Sequence, residues 1–205
     1  MKLFVPAMAL IACIGGLTGC GTGSAKVGPI DKQVRLDALV GSWESTVDQL
    51  TTRYSFNPDG KGRIDRHVDT TAAMVKGIRE GYGEPLSPPL EQAIGEVKVI
   101  TRSELPFTCS ILDGQILHFT YDVPMVRYDS MEPFWKELAK HRSARKVSEL
   151  RSILEESERE SAKALFDRFN RDQSEMRVEV SGQKLRLTTL QRVEQPVSLS
   201  LNRVK

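Results

Sequence analysis

Residues 39–69, LVGSWESTVDQLTTRYSFNPDGKGRIDRHVD, decide the fold of this chain. Successive side chains of an extended chain point to opposite faces, so every second residue shares a face. Two such sets are Leu39, Gly41, Trp43 and Ser45, and then Thr52, Tyr54 and Phe56. Pro58-Asp59-Gly60 is a turn signal, because Pro presets φ and Gly accepts a positive φ, and residues 61–68 resume the strand pattern. The stretch therefore predicts consecutive β-strands with a tight turn before the last.

The strand pattern recurs in the middle of the chain. Residues 97–111 have an extended pattern, and the side chains on its apolar face are Leu105, Phe107, Cys109 and Ile111. Pro106 cannot donate a ladder hydrogen bond, so we expect this strand to be bent or at an edge. Asp113-Gly114 is a strong hairpin signal, and residues 116–123 continue the strand pattern after it. This region predicts another antiparallel hairpin.

The C-terminal region has the same organisation. Residues 176–180 alternate, Ser181-Gly182 is a turn signal, and residues 185–187 alternate beyond it. Residues 197–201 make a last strand. Roughly seven to nine short strands joined by tight turns favour an antiparallel meander, barrel or sandwich.

Two stretches interrupt the strands. Residues 70–94 are ambiguous, because residues 72–78 favour a short helix while residues 81–89 have the composition of a loop. The second stretch is clearly helical: Ser130 is suited to cap a helix, and Pro133 falls in its first turn, where a missing N–H is tolerated. Apolar residues then recur at helical spacing, at Met131, Phe134, Trp135, Leu138, Val147, Leu150, Leu154, Leu165, Phe166 and Phe169. We expect one long helix or two consecutive helices, as an insertion at about 130–172.

Two motifs resemble the opening of bacterial lipocalin-like domains. Residues 39–43 have the form L-x-G-x-W, and residues 56–62 have the form F-x-x-D-G-x-G. Residues 180–187, VSGQKLRL, are similar to a later hairpin of that family. The resemblance implies a small up-and-down β-barrel whose interior holds an apolar ligand. The predicted fold class is mainly β with a long helical insertion (α+β), built as an antiparallel up-and-down lipocalin-like barrel or meander.

Inward-facing aromatic residues are the candidate ligand site of such a barrel. Alternation alone selects the candidate cavity residues, which are Trp43, Tyr54, Phe56, Phe107 and Phe119. Trp43 and the glycines of the motifs also have an explanation in the fold alone.

The N-terminal segment has the pattern of an export signal. Lys2 is followed by an apolar run over residues 3–17, which is shorter than the ~20 residues that a transmembrane helix needs. Residues 17–20, LTGC, resemble the lipobox of bacterial lipoproteins. In that family the signal is cut just before the cysteine, here Cys20, and the sulfur receives a diacylglycerol. The alternative is an ordinary signal with a chance cysteine.

The lipobox resemblance divides the chain and gives it an address. Residues 1–19 are the expected signal peptide, residues 20–35 the lipidated Cys20 with a flexible, Gly-rich tether, and residues 36–205 the β domain. Stable anchoring takes more than one acyl chain, which a lipidated cysteine supplies. By resemblance to Gram-negative lipoproteins, Gly21 in place of Asp favours the outer membrane, facing the periplasm. The membrane is therefore an expected partner, through Cys20.

Composition excludes several classes of function. Removal of Cys13 with the signal and lipidation of Cys20 leave Cys109 alone in the folded part, so no disulfide can form within it. The formal net charge is only +2, with no concentrated basic patch, so nucleic-acid binding is not expected. We expect no cofactor, since the chain has no glycine-rich phosphate loop and no C-x-x-C motif.

Two sets of residues suggest chemistry, and each has a simpler explanation. Asp65, His67 and Asp69 share one strand face and could bind a divalent metal, but a solvated outer face explains them, and we expect no metal. Cys109 and His118 suggest a nucleophile and its base across a hairpin, but both alternate with apolar residues, and a small buried cysteine is common. We expect no catalytic residue and no enzyme activity, because no G-x-S-x-G or H-E-x-x-H motif is present.

The helical insertion has its own candidate surface. Phe134, Trp135 and Leu138 form an apolar face that could be a lid, a partner-docking surface, or packing on the barrel. Two functions follow as hypotheses. The first is a membrane-anchored periplasmic lipoprotein, non-catalytic, that binds an apolar small molecule or lipid. The alternative is an envelope lipoprotein for protein interaction or assembly, whose inserted helix docks a partner protein.

Overall fold

The computed structural model describes residues 34–82, 87–96, 98–129, 131–190 and 198–204. The predictions on the signal peptide, on Cys20 and on Ser130 fall outside these ranges.

Nine strands and five helices make up the described part of the chain. The strands are β1 (Gly41–Val47), β2 (Leu50–Phe56), β3 (Lys61–Asp69), β4 (Ile100–Leu112), β5 (Ile116–Tyr121), β6 (Met125–Asp129), β7 (Glu175–Ser181), β8 (Lys184–Thr189) and β9 (Ser198–Arg203). The helices are α1 (Leu36–Leu39), α2 (Thr71–Tyr82), α3 (Pro88–Glu96), α4 (Glu132–His141) and α5 (Ala144–Asp172).

Eight of the strands close into an antiparallel barrel. Their order is β3-β2-β1-β9-β8-β7-β5-β4, and β4 returns to pair with β3 along its length. Neighbours in the ring are consecutive in the chain except at two places, where β5 pairs with β7 and where the first strand, β1, pairs with the last, β9. The barrel is therefore of the up-and-down type. β6 lies outside the ring order and pairs with β4 beside β5. The predicted fold class, a mainly β barrel with a long helical insertion, is confirmed.

Three hairpin turns form at the glycines that the sequence predicted. Gly60, Gly114 and Gly182 have φ of 79°, 68° and 59°, values that a residue without a Cβ adopts at little cost. The turn between β1 and β2 was not predicted, because the residue with a positive φ there is Asp48 and not a glycine (φ 53°).

Strand β4 pairs with different strands along its second edge. One edge pairs with β3 over residues 100–108, while the other pairs with β6 over residues 100–104 and with β5 over residues 107–112. Pro106 lies between these two ladders, where its missing N–H removes no ladder bond. Of the two alternatives, a bent strand or an edge strand, the edge strand is wrong, since β4 is paired on both sides and Pro106 lies where the partner changes.

All the long helices leave the same end of the barrel, which we call the helical end. α2 and α3 lie between β3 and β4, and α4 and α5 lie between β6 and β7. The short helix expected over residues 72–78 is confirmed and is part of the longer α2. Residues 81–82 and 88–89 of the expected loop are helical, and residues 83–86 lie outside the described ranges. The insertion consists of two consecutive helices: α4 has Pro133 in its first turn, and Ser143 caps α5 by accepting a hydrogen bond from the N–H of Lys146 at 3.4 Å.

Two apolar cores divide the molecule. The barrel core holds the inward side chains of the eight strands, and the helical core joins α2, α3 and α4 to the first half of α5. Helix α5 belongs to both, because Val147 packs in the helical core while Leu165 and Phe169 pack in the barrel core. The second half of α5 thus covers the helical end of the barrel.

A short segment covers the other end of the barrel. The N–H of Val34 bonds the carbonyl of Gly114 at 2.7 Å, and Leu39, at the end of α1, is fully buried in the barrel core. The indole Nε1 of Trp43 donates to the carbonyl of Leu39 at 2.7 Å. The guanidinium of Arg203 stacks on the Trp43 ring at 4.6 Å and donates to the carbonyls of Ala38 and Val40. The chain therefore enters the barrel at the end opposite the long helices.

Candidate functional site

The five aromatic residues predicted to line a cavity all lie inside the barrel. Each is buried in the barrel core. Four ring pairs run through this core with centroids 5.1–6.2 Å apart, in the order Tyr54, Phe56, Phe107, Phe119 and Tyr121. Phe169 of α5 continues the series, 5.3 Å from the Tyr121 ring. The inward rings therefore contact one another and are covered by a helix.

A polar layer separates the barrel core from the helical core. Arg66 is only 4% exposed, and its neighbours across the strands on the inward face are Thr52 and Ser103. Burial lowers the pKa of the Arg66 guanidinium to about 10, with an opposing effect of Tyr54 and a further lowering by Arg168. Arg66 was missed in the sequence although it alternates with Ile64, because arginine is rarely buried.

Gln173 joins two tyrosines beneath the end of α5. The hydroxyl of Tyr121 donates to the Gln173 backbone carbonyl at 2.8 Å, and that of Tyr54 to its side-chain oxygen at 3.5 Å. Burial raises the pKa of both phenols. Neutral phenols therefore fix the end of α5 to the barrel wall.

The acidic and imidazole side chains of β3 do not form a metal site. Asp65 pairs with Arg63 at 2.7 Å, and Asp69 accepts from the N–H of Thr71 at 3.0 Å, which with the Thr71 hydroxyl lowers its pKa. His67 is exposed, directly opposite Arg102. Within the described residues, no three His, Cys, Asp or Glu side chains are placed to hold a metal ion.

Cys109 and His118 lie on opposite faces of the sheet. Cys109 is opposite Phe119 in the ladder and shares its inward face, whereas His118 is opposite Ser110 and faces outward, with Nδ1 3.7 Å from a Glu175 oxygen. Burial raises the pKa of the Cys109 thiol to about 11. The imidazole therefore cannot activate this thiol as a nucleophile in the observed arrangement.

The raised pKa of Cys109 has a measurable consequence. In residues 21–205, which contain no other cysteine, we expect iodoacetamide to alkylate Cys109 at pH 8 at least about tenfold more slowly than a free thiol. The rate should keep rising through pH 10 instead of levelling near 8.5. Mass spectrometry of timed samples measures it, and His118→Ala should leave the profile unchanged. A plateau below pH 9 would show that the thiol is not shielded.

The predicted docking residues of the insertion are buried. Phe134, Trp135 and Leu138 pack in the helical core, with the first two rings 5.0 Å apart and the Arg151 guanidinium 5.4 Å from the Trp135 ring. These side chains pack among the other helices in the helical core and not in the barrel core. A partner would have to contact other residues of the insertion.

A groove of about 330 Å³ lies between β6 and α5. Its lining residues are Pro124, Met125, Val126, Arg127, Glu155, Glu158, Arg159 and Ala162. Val123, just before β6, is 82% exposed, and Met125 is 41% exposed. The groove is therefore amphipathic, with the apolar Pro124 and Met125 at one side and charged residues on both β6 and α5.

Comparison with known protein families, curated proteins and solved structures finds no match to this chain. None of the helices in the described residues is both long and apolar enough to cross a bilayer. The resemblance to lipocalin-like domains stays a prediction from the motifs around Trp43 and Gly60.

Proposed function

We propose that this chain is a non-catalytic lipoprotein of the bacterial envelope that binds a partner protein on the surface formed by β6 and α5, which we call the helical side. In this proposal Cys20 carries the lipid, and the outer membrane, on its periplasmic side, is the anchoring surface. The LTGC motif supports the anchor. Separation of Cys109 and His118 on opposite sheet faces supports the absence of catalysis.

The observation that carries the interaction function is the close packing of aromatic side chains inside the barrel. Aromatic rings contact one another across the interior, α1 covers one end, and the second half of α5 covers the other. An eight-stranded barrel is just wide enough for its own side chains to fill or to hold one small ligand. The contacts between inward rings support the first alternative, in which the barrel is a rigid support and the partner binds on the outer surface.

Site-specific photocrosslinking in cells tests the proposal. A photoreactive amino acid at Met125 or at Arg159, on the helical side, should give the same identified envelope protein as an adduct. Leu112 is the matched control, since it is 46% exposed but lies at the far end of the barrel, and it should give no such adduct. Adducts that are equal at all three positions, or absent from the helical side, would refute the interaction function.

A second candidate function is binding of an apolar small molecule or lipid inside the barrel. It is favoured by the inward burial of all five predicted cavity residues, from Trp43 to Phe119. Native mass spectrometry of residues 21–205, purified gently from a periplasm, tests it. A reproducible extra mass that organic extraction removes would support this function, and a bare protein mass would favour the interaction function.

A further inference from the structure

Strand β6 has one edge that no other strand covers within the described residues. It pairs with β4 alone, in the register Thr101 with Tyr128 and Ser103 with Val126. The N–H of Tyr128 donates to the Glu158 carboxylate of α5 at 2.9 Å, so it points away from β4. In an antiparallel strand, the backbone N–H and carbonyl of successive residues point to alternate edges. Those of Val126, two residues before Tyr128, therefore also point away from β4.

The groove lies directly beside this edge. Val126 is one of its lining residues, and Glu158 and Ala162 of α5 form the opposite wall. The backbone N–H of Tyr128 is already occupied by the Glu158 side chain of α5, so within the described residues Val126 is the edge residue left for a partner. The N–H and carbonyl of Val126 can form hydrogen bonds with the carbonyl and N–H of one residue of an extended peptide. The peptide then lies beside β6 as an added strand.

Charge adds a second requirement for the occupant. Arg127 lines the groove and lies directly opposite Arg102 in the ladder, and like charges in that position are destabilising. Arg102 pairs with Asp129, whereas no ion pair of Arg127 is present in the described part of the chain. Glu155 and Glu158 line the α5 side of the same groove, so an acidic side chain on the bound segment would complement Arg127 at the β6 side, away from these carboxylates. The exposed Met125 would contact an apolar side chain of that segment.

Resting on the proposed function, we propose that the groove between β6 and α5 binds an extended segment of the partner protein that carries an apolar and an acidic residue. The segment pairs its backbone with Val126 and is short, because Pro124 has no N–H to extend the ladder. Side-chain contacts with Met125 and Arg127 then select its sequence.

Selection from a displayed library of random short linear peptides, against the full mature chain, tests this assignment. Enriched peptides should carry the apolar and acidic residues, and their binding should weaken at least about tenfold, or 1.4 kcal/mol, in Met125→Glu and in Arg127→Glu. Exchanging the acidic residue of the peptide for Lys should restore binding to Arg127→Glu. Leu112→Glu is the matched control and should bind as the wild type does.

Hydrogen exchange locates the bound peptide. The Val126 amide should exchange more slowly in the complex, as expected for an added strand. Failure to enrich peptides, equal binding by the groove variants, or protection confined to other strands would overturn the groove assignment. If crosslinking at Met125 still identifies a partner protein, but linear peptides from that partner do not bind in the groove, the proposed function stands and this inference is wrong. A dimer of the chain formed through β6 would also contradict it.

Discussion

Replacement of Trp43 by Ala is expected to lower the free energy of unfolding by about 4 kcal/mol, because Trp→Ala changes in a core cost about 3–5 kcal/mol. The side chain is fully buried. Its loss would also remove the hydrogen bond to the Leu39 carbonyl and the stacking of Arg203. The end of the barrel that α1 covers should loosen first. Urea denaturation followed by circular dichroism measures the effect.

Two controls separate these contributions to the Trp43 effect. Trp43→Phe keeps an aromatic ring but loses the indole N–H, so it should cost less than Trp43→Ala. Val47→Ala, on the same strand but 44% exposed, should change the free energy of unfolding by about 0.5 kcal/mol or less. A loss below about 1 kcal/mol for Trp43→Ala would show that the ring does not hold this end of the barrel together.

Replacement of Gly62 by Ala should cost about 3 kcal/mol of unfolding free energy, at the upper end of the usual range for overpacking. A Cβ at this position would collide with the backbone carbonyl of Ser55 and with the ring of Phe107. Gly62 is directly opposite Phe107 in the ladder, and the ring lies over it. The carbonyl belongs to the paired strand β2, so only a shift of the strand relieves the contact.

The matched control for Gly62→Ala is a glycine with open space around it. Gly95 in α3 has no atom within 4 Å of the position that a Cβ would occupy. Gly95→Ala should therefore stabilise the protein, by about 0.5–1 kcal/mol, through lower backbone entropy in the helix. Thermal denaturation of both variants measures the difference. If both changes raise the free energy of unfolding, Gly62 is not packed closely against β2 and the Phe107 ring.

Local chemistry made the hairpins predictable. Three turns were predictable because each requires a residue with a positive φ, which favours glycine. These glycines are Gly60, Gly114 and Gly182. The short strand β6 was not predicted, because its five residues alternate too briefly to be distinguished from a loop. Its edge and the groove beside it were therefore also missed.

Long-range pairing was not predictable from the sequence alone. Ile64 and Leu105 lie opposite each other in the closing ladder of β3 and β4, but two helices separate them in the chain, and no local signal joins them. In the same way, helical spacing identified the apolar face of Phe134 and Leu138 but not what covers it. That cover comes from α2 and α3, in the region whose sequence was ambiguous.

The position of the last strand in the ring bears on how the chain is made. β9 lies between β8 and β1, so both of these strands keep an open edge until residues 198–203 have been synthesised. The barrel therefore cannot close before residues 198–203 have been synthesised. If the chain is translocated across a membrane, as we propose from the LTGC motif, this order would leave the barrel open until its last strand has been made.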